Sequence, residues 1–302
     1  MAKRDLRSYF HKLSTLGADV RLNEPMKWHT TMKIGGPAAL FVSPHSIEAM
    51  TGIIDFLRSE ATLYRILGGG SNVVFPDSYD GIVISTRNLN LIEAGDSGIS
   101  IQAGVPVNSV IWFCLSKGLA GLEFLTGLPG TIGGAVFMNA GAFGGEIGEV
   151  VKLVEYIDEK GIARRINGDS CEFSYRSSLF RSLGSTVLRV ELKVEQGDKE
   201  VIRSNMQDIL GRRLEKQPLD LPSAGSAFVR PYQDFFVGST IERLGLKALS
   251  VGDAQISDKH AGFIVNRGNA TQRDVVLLIE KIKDAVREAT GVTLEEEIQI
   301  WR

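Results

Sequence analysis

The clearest periodic segment of the chain is an amphipathic stretch at residues 46 to 59, SIEAMTGIIDFLRS. Its apolar positions recur at steps of three and four, as on one face of an α-helix: Ile47, Met50, Ile54 and Leu57. Strand-like segments follow at 63 to 67 and 81 to 86, and the glycine-rich run GGGSN at 68 to 72 comes directly after the first of them. The pattern predicts a helix, then two strands, with a loop at the end of the first strand.

The middle of the chain changes to short segments in which apolar and polar residues roughly alternate. A strand at 99 to 104 is expected to lead into a helix that Asn108 caps and Gly118 ends. Further strands are expected between polar breaks, at residues 151 to 158, 163 to 167 and 186 to 195. Residues 131 to 197 therefore predict an antiparallel or mixed β unit.

The last third of the chain begins with helical periodicity at 200 to 214. A proline-marked crossover, KQPLDLPSAGS, follows at 216 to 226, and we place a domain boundary there. A short helix is predicted at 236 to 244.

Two amphipathic segments close the chain. The helix predicted at 271 to 289 opens with a capping box of Thr271 and Asp274, and its apolar face comprises Val275, Leu278, Ile279, Ile282 and Val286. A strand is predicted at 292 to 301, with the core-facing residues Val292, Leu294, Ile298 and Ile300. Glu297 is then expected on the opposite face of that strand, beside Glu295 and Gln299.

Composition indicates a folded protein of two or three domains, with 302 residues, 43% hydrophobic and 23% charged. The 34 basic and 36 acidic residues are interspersed, so no basic stripe exists to attract a nucleic acid. The segment MAKRDLRSYFHKL lacks the apolar centre of a signal peptide, and no run of about 18 apolar residues occurs, which predicts a cytoplasmic protein without membrane insertion. Cys114 and Cys171 have neither CxxC nor metal-site spacing, and we expect two reduced structural thiols. The sequence carries no prediction of oligomeric state.

Glycine is the one unusual component, with 33 of 302 residues. Two clusters stand out, GGGSN at 68 to 72 and LPGTIGGA at 128 to 135. Glycine permits positive φ and lets backbone N–H groups approach a ligand, and successive N–H groups form an anion-binding nest. Two such loops suit a diphosphate, with the candidate contacts Gly68, Gly69, Gly70, Ser71, Asn72, Gly130, Thr131, Gly133 and Gly134. Tight turns without a ligand are the alternative for each loop taken singly.

Two common phosphate-binding motifs do not fit the sequence. A Rossmann site requires GxGxxG opening a helix and an acidic residue about 20 positions further on. Here the first loop runs into VVFPDSYDGIVI, and Asn90 stands where the acid is needed. The P-loop pattern GxxxxGK[ST] does not occur.

The chain resembles the UDP-N-acetylenolpyruvoylglucosamine reductase family, within the flavin fold of the vanillyl-alcohol-oxidase type, over nearly its whole length. The segments that carry the resemblance are HTTMKIGGPAALFV (29 to 42), LGGGSNVVF (67 to 75), GLEFLTGLPGTIGGAVFMNAGAFGGE (121 to 146), FSYRSSLF (173 to 180), PSAGSAF (222 to 228) and LEEEI (294 to 298). The last three distinguish this family from oxidases that share the loops. Too few residues separate 176 from 216 for the tyrosine-bearing insertion of the longer family type, so the resemblance is to the shorter type.

The resemblance implies an α+β protein with a two-subdomain FAD-binding fold of the vanillyl-alcohol-oxidase (PCMH) type and a C-terminal α+β substrate-binding domain. The FAD-binding domain is then expected at 30 to 197 and the substrate-binding domain at 201 to 291. The first FAD-binding subdomain is expected at about 1 to 85 together with the C-terminal strand 292 to 302, and the second at about 86 to 200.

The resemblance also implies a reaction. NADPH gives a hydride to non-covalently bound FAD, and FAD reduces the small-molecule substrate UDP-N-acetylglucosamine enolpyruvate to UDP-N-acetylmuramate for the cell wall. Ser226 is then the proton donor, and Arg176 and Glu297 stabilise the enolate. Because an ionised Glu297 repels the substrate carboxylate, we expect it to be protonated or paired with a cation. Without the motifs, a turn serine, a surface arginine and a solvated glutamate are the ordinary interpretations of these three residues.

The resemblance further implies substrate contacts from Tyr175, Lys216, Arg230 and His260. Lys216 matches a family lysine near the cofactor or substrate phosphates, and a solvated lysine at a helix end is its ordinary interpretation. A structural role is equally compatible with the sequence for His260. For Tyr175, a packing role is equally compatible with it. Arg230 stands where some relatives have asparagine. Two other functions stay open on the same fold: an FAD-dependent oxidase of a small hydroxylated compound, and a non-catalytic nucleotide-binding protein.

Overall fold

The computed structural model describes residues 6–95 and 98–302. The start of the N-terminal segment, for which we expect no signal peptide, and the start of the first expected subdomain lie outside the described residues. None of the helices formed by the described residues is long and apolar enough to cross a membrane.

Helices and strands alternate irregularly along the chain, which confirms the expected mixture of both. The helices are α1 (Leu6–Thr15), α2 (Ile47–Ser59), α3 (Val107–Lys117), α4 (Ile132–Phe137), α5 (Ile147–Val150), α6 (Leu179–Leu183), α7 (Lys199–Lys216), α8 (Val237–Arg243) and α9 (Gln272–Thr290). The strands are β1 (Ala18–Pro25), β2 (Pro37–Pro44), β3 (Tyr64–Leu67), β4 (Val73–Val74), β5 (Tyr79–Ser85), β6 (Ile92–Gly95), β7 (Gly98–Gln102), β8 (Leu119–Ala120), β9 (Gly141–Ala142), β10 (Gly145–Glu146), β11 (Val151–Ile157), β12 (Ala163–Asn167), β13 (Thr186–Leu192), β14 (Glu195–Gln196), β15 (Ser223–Ser226), β16 (Ser250–Val251), β17 (Ala254–Ile256), β18 (Phe263–Asn266) and β19 (Gln299–Ile300).

The chain divides into two compact units, and the division falls inside α7. The first unit comprises residues up to 23, 39–69 and 80–211, and the second comprises 24–38, 70–79 and 212–302. The domain limits expected from the sequence stay a prediction.

The first unit contains two larger sheets. One has the order β1-β2-β5-β3, and within it β3 and β5 run parallel, with Leu67 opposite Ser85. The other has the order β12-β11-β13-β7-β6 and is antiparallel throughout, which is one of the two arrangements, antiparallel or mixed, expected for residues 131 to 197. Its buried core is supplied largely by Ile99, Ile101, Val110, Ile111, Val136, Val154, Phe180, Val190 and Leu192.

The start of α3 differs from the prediction. The residue before the helix is Pro106, whose φ of −60° suits an entry into a helix without a side-chain cap. Asn108 lies one residue inside the helix, and its Oδ1 accepts the Gly127 amide at 2.8 Å instead of capping. Gly118 does end the helix, in the left-handed region at φ 68°.

The second unit is built on a sheet of order β15-β18-β17-β16, packed against α9. Helix α9 begins at the predicted capping box, in which the Thr271 side chain accepts from Asp274 N and the Asp274 carboxylate from Thr271 N. All five apolar residues predicted for its inner face are buried. The core of this unit therefore forms on the face that the periodicity indicates.

The long strand predicted at 292–301 is not continuous. Only β19 is a regular strand, and it pairs in parallel with β4. Before β19, the chain pairs with a different segment: Val229 N donates to Glu295 O and Glu297 N to Ala227 O, each at 2.9 Å. Residues 295 to 297 bond to residues 227 to 229, whereas β19 pairs with β4. This change of partner interrupts the regular alternation of buried and exposed side chains. Leu294, Ile298 and Trp301 are buried, whereas Val292 and Ile300 are half-buried.

Both cysteine side chains are free and buried. Burial raises the pKa of Cys114 and of Cys171 to about 12. The thiols therefore stay protonated at physiological pH, which agrees with structural roles.

Candidate active site

The first glycine run lies directly after β3, where no side chain fits. In the first unit, a Cβ on Gly68 meets Thr131 Oγ1 at 2.7 Å, and a Cβ on Gly69 meets Gly130 Cα at 2.5 Å. In the second unit, Gly70 has φ +67°, and a Cβ there meets the His29 carbonyl oxygen at 2.0 Å. Close backbone approach thus requires glycine at positions 69 and 70, whereas a Cβ on Gly68 would crowd the Thr131 side chain.

The second glycine run leads into α4. Gly130 has φ +112°, and the helix starts after Thr131. The Thr131 Oγ1 atom is buried and has no hydrogen-bond partner among the described residues. Gly133, expected to offer its amide to a ligand, donates that amide to Ala103 O at 2.9 Å, and its missing side chain makes room for Ala103. The nest expected in this loop is therefore smaller than the sequence suggests.

These residues fit an FAD diphosphate. A buried hydroxyl without a partner is costly unless a ligand completes its hydrogen bonds, and Thr131 Oγ1 lies beside Gly68. Gly68, Gly69 and Gly130 leave backbone facing that position without intervening side chains. The roles of Ser71, Asn72 and Gly134 toward the cofactor stay predictions.

The serine strand β15 carries a bulge that sets the position of Ser226. Ser223 pairs with Val265 and Ser226 with Phe263, so β15 has one residue more than β18 between the two pairs. Gly225 occupies the bulge with φ +82°. Ser226 is half-buried, and its hydroxyl makes no hydrogen bond to any other described residue. The hydroxyl is therefore available to a ligand.

The Glu297 segment is hydrogen-bonded to the same strand and to the first glycine loop. Its amide donates to Ala227 O at 2.9 Å, next to Ser226, and Asn72 Nδ2 donates to the Glu297 carbonyl at 3.1 Å. The structure thus brings the serine and glutamate segments together within the second unit.

Thr31, which sequence analysis did not single out, links the glycine loop to the serine strand. Its amide donates to Gly70 O at 3.0 Å and its hydroxyl to Ser223 O at 2.7 Å. The second hydroxyl of the HTTMKIGG motif is the sequence feature that points to it, but only the folded chain shows its partner.

Arg176 lies at the tip of a tight turn in the first unit. Ser174 and Ser177 exchange both backbone hydrogen bonds, at 3.1 and 3.0 Å, and Arg176 takes φ +55°. Its guanidinium donates to Gly141 O at 3.2 Å and lies 5.0 Å from the Tyr175 ring centre. A left-handed conformation at a non-glycine residue costs about 1 kcal/mol or more and is typical of functional positions.

The remaining candidate substrate contacts have diverse surroundings. Lys216 is exposed at the end of α7, and Arg230 is exposed with its guanidinium 5.1 Å from the Phe236 ring centre. His260 Nδ1 accepts the Gly262 amide at 3.1 Å, so the neutral ring carries its proton on Nε2. Burial lowers the pKa of His260 below its usual value, which keeps the ring neutral at physiological pH.

Known proteins resemble the chain over almost its full length. The FAD binding domain family matches residues 38–167, and the C-terminal domain family of UDP-N-acetylenolpyruvoylglucosamine reductase matches residues 217–301. A UDP-N-acetylenolpyruvoylglucosamine reductase of Pseudothermotoga lettingae is 45% identical over 283 residues, covering 94% of this chain and 98% of its own. One from Clostridium novyi is 40% identical, covering 93% and 92%. The crystal structure of the enzyme from Thermus caldophilus superimposes with a TM-score of 0.79 at 32% identity, covering 94% and 99%.

The match to the FAD binding domain family and the similarity to these relatives show an FAD-dependent oxidoreductase, and FAD is its cofactor. More narrowly, the chain belongs to the UDP-N-acetylenolpyruvoylglucosamine reductase family. The family and fold expected from the sequence are thereby confirmed.

We expect Gly69→Ala to lower the fraction of purified protein that carries FAD, because its Cβ forces the two glycine loops apart. The ratio of flavin to protein absorbance measures this fraction. Gly211→Ala is the matched control, since Gly211 lies in α7 with nothing within 4 Å of a Cβ. Full FAD occupancy in Gly69→Ala contradicts the assignment of this loop to the cofactor.

Proposed function

We propose that the chain catalyses the NADPH-dependent, FAD-mediated reduction of UDP-N-acetylglucosamine enolpyruvate to UDP-N-acetylmuramate in peptidoglycan synthesis. Family membership supports the reaction. The observation that best supports the residue roles is the pairing of the serine strand with the segment of Glu297, beside the glycine loop.

Ser226 donates the proton in this proposal. FAD held by the glycine loops would supply the hydride chemistry between NADPH and the enol carbon distal to the carboxylate. The carbon next to the carboxylate then becomes strongly basic, so a serine hydroxyl is a sufficient acid. The bulge at Gly225 fixes the direction of the Ser226 side chain, and the hydroxyl makes no bond to the described protein that the substrate has to break.

Arg176 stabilises the enolate by donating to the substrate carboxylate. A guanidinium has a planar set of donors that matches a carboxylate, and the bonds strengthen as negative charge grows. The contacts with Gly141 and Tyr175 hold the side chain before substrate arrives. A donor of this kind is typically worth roughly 3 kcal/mol in the transition state.

Glu297 assists the same step in a protonated or cation-paired form. Its backbone is fixed on both sides, through Ala227 and Asn72, so its side chain starts from a defined point next to the serine strand. Tyr175, Lys216, Arg230 and His260 are proposed to contact the rest of the substrate.

The reaction is tested by incubating the purified holoenzyme with NADPH and UDP-N-acetylglucosamine enolpyruvate. We expect equal consumption of both and a product heavier than the substrate by one H₂ equivalent in the mass spectrum. NADPH oxidation that proceeds equally without the enolpyruvate contradicts the proposal, because oxygen then accepts the electrons.

Ser226→Ala is expected to reduce its FAD with NADPH at a normal rate but to lose nearly all transfer to the enolpyruvate, because only the second half-reaction needs the proton. Rapid-mixing absorbance at the flavin band separates the two half-reactions. Ser223→Ala, on the same strand, is the control and keeps the backbone carbonyl that Thr31 binds. Equal losses in both half-reactions of Ser226→Ala refute the proton-donor role.

Thr31→Val removes the hydroxyl that holds Ser223 O and should misplace the serine strand relative to the glycine loop. We expect the second half-reaction to slow by roughly 10- to 100-fold, with reduction by NADPH unchanged. Thr31→Ser retains the hydroxyl and should restore the rate. If Thr31→Val and Thr31→Ser show the same rate of the second half-reaction, the bond from Thr31 to Ser223 O does not position the proton donor.

A further inference from the structure

Arg87 lies at the same sheet edge as the first glycine run. Strands β3 and β5 are parallel neighbours with Leu67 opposite Ser85, and Thr86 N donates to Leu67 O at 3.0 Å. The carboxyl end of β3 leads into Gly68, and that of β5 leads into Thr86 and Arg87. Ligands of sheets with parallel strands bind beyond these ends.

The Arg87 guanidinium reaches back to the glycine loop. Its NH2 group donates to Gly69 O at 3.1 Å, and the side chain is exposed. Burial lowers the pKa of Arg87 from its usual value, yet the group stays charged at physiological pH. Among the residues that the structure describes, no carboxylate forms an ion pair with it. The N–H groups of this guanidinium that do not bind Gly69 O can therefore donate to an anion beside the loop.

Two threonines next to this loop have buried hydroxyls. Thr86 and Thr131 are each 4% exposed, and neither Oγ1 has a hydrogen-bond partner within the described chain. The Thr86 amide donates to Leu67 O at 3.0 Å, and Thr131 Oγ1 lies 2.7 Å from the Cβ position of Gly68. Buried hydroxyls without partners are uncommon in proteins, and a ligand with several acceptor oxygens would supply partners for both.

We propose that Arg87 supplies the positive charge for the FAD diphosphate, and that Thr86 Oγ1 donates a hydrogen bond to the same group. The glycine loops alone offer only neutral donors to a group with two negative charges. Bonds from a guanidinium to phosphate oxygens are charge-assisted and roughly twice as strong as neutral ones. This inference rests on FAD binding by the chain and is independent of the substrate.

A purely structural role for Arg87 is the competing explanation, because its bond to Gly69 O also braces the loop. The two explanations differ in their dependence on salt. An ion pair with a phosphate is screened by salt, whereas a brace between a side chain and a carbonyl is much less so.

The test is dilution of the holoenzyme at low and high sodium chloride concentration, with released FAD measured by its fluorescence. We expect Arg87→Gln to raise the dissociation constant of FAD by roughly 10- to 100-fold at low salt, and to flatten its salt dependence. Arg87→Lys should restore part of the FAD affinity and part of its salt dependence. Arg65→Gln removes the same charge at an exposed position of β3 and should change neither the FAD affinity nor its salt dependence. Thr86→Val should weaken FAD binding with the salt dependence retained.

Two results overturn the proposal. If Arg87→Gln weakens FAD binding with an unchanged salt dependence, Arg87 is a brace. If FAD retention is unchanged and only the KM for NADPH rises, Arg87 binds the nucleotide substrate instead. Because FAD release is measured without enolpyruvate, failure of the proposed reaction leaves this test valid.

Discussion

The structure depends on the absence of side chains in one short run of backbone. Gly68 and Gly69 lie against the second glycine loop, and Gly70 lies against His29, so closely that a Cβ at any of them overlaps its neighbour. This leaves bare backbone at Gly68 and Gly69, which we propose to face the cofactor diphosphate. The buried Thr131 hydroxyl has no hydrogen-bond partner among the described residues, and the Arg87 guanidinium donates to Gly69 O. A bound diphosphate would complete the hydrogen bonds of the Thr131 hydroxyl.

The same run also fixes where the proposed proton donor stands. Within the second unit, Thr31 binds Gly70 and Ser223, and Asn72 binds the carbonyl of Glu297. Thr31 and Asn72 therefore connect residues 70 to 72 with the serine strand and with the Glu297 segment inside the second unit. Such bonds tolerate little displacement, which suits a proton transfer that must follow the hydride at the adjacent carbon.

The sequence predicts the elements whose determinants are local. Helix α9 follows from a capping box and a regular apolar face, and the glycine loops follow from their composition. The break in the C-terminal strand is not predictable in this way, since it arises where the chain changes its pairing partner from 227–229 to β4. The role of Thr31 could not be predicted either, because its hydrogen-bond partner Ser223 is distant in sequence. The prediction that Asn108 caps α3 was wrong, because Pro106 occupies the position before the helix. The roles of Arg176, Ser226 and Glu297 come from resemblance, and spacing alone does not reveal them.

In the proposed reaction, the reduced flavin transfers its electrons to an enolpyruvyl substrate rather than to oxygen. The most direct measurement is rapid mixing of the NADPH-reduced holoenzyme, on one side with UDP-N-acetylglucosamine enolpyruvate in the absence of air and on the other with aerated buffer alone. We expect the flavin absorbance to recover much faster with the enolpyruvate than with oxygen. Recovery that is fast with oxygen and absent with the enolpyruvate contradicts it.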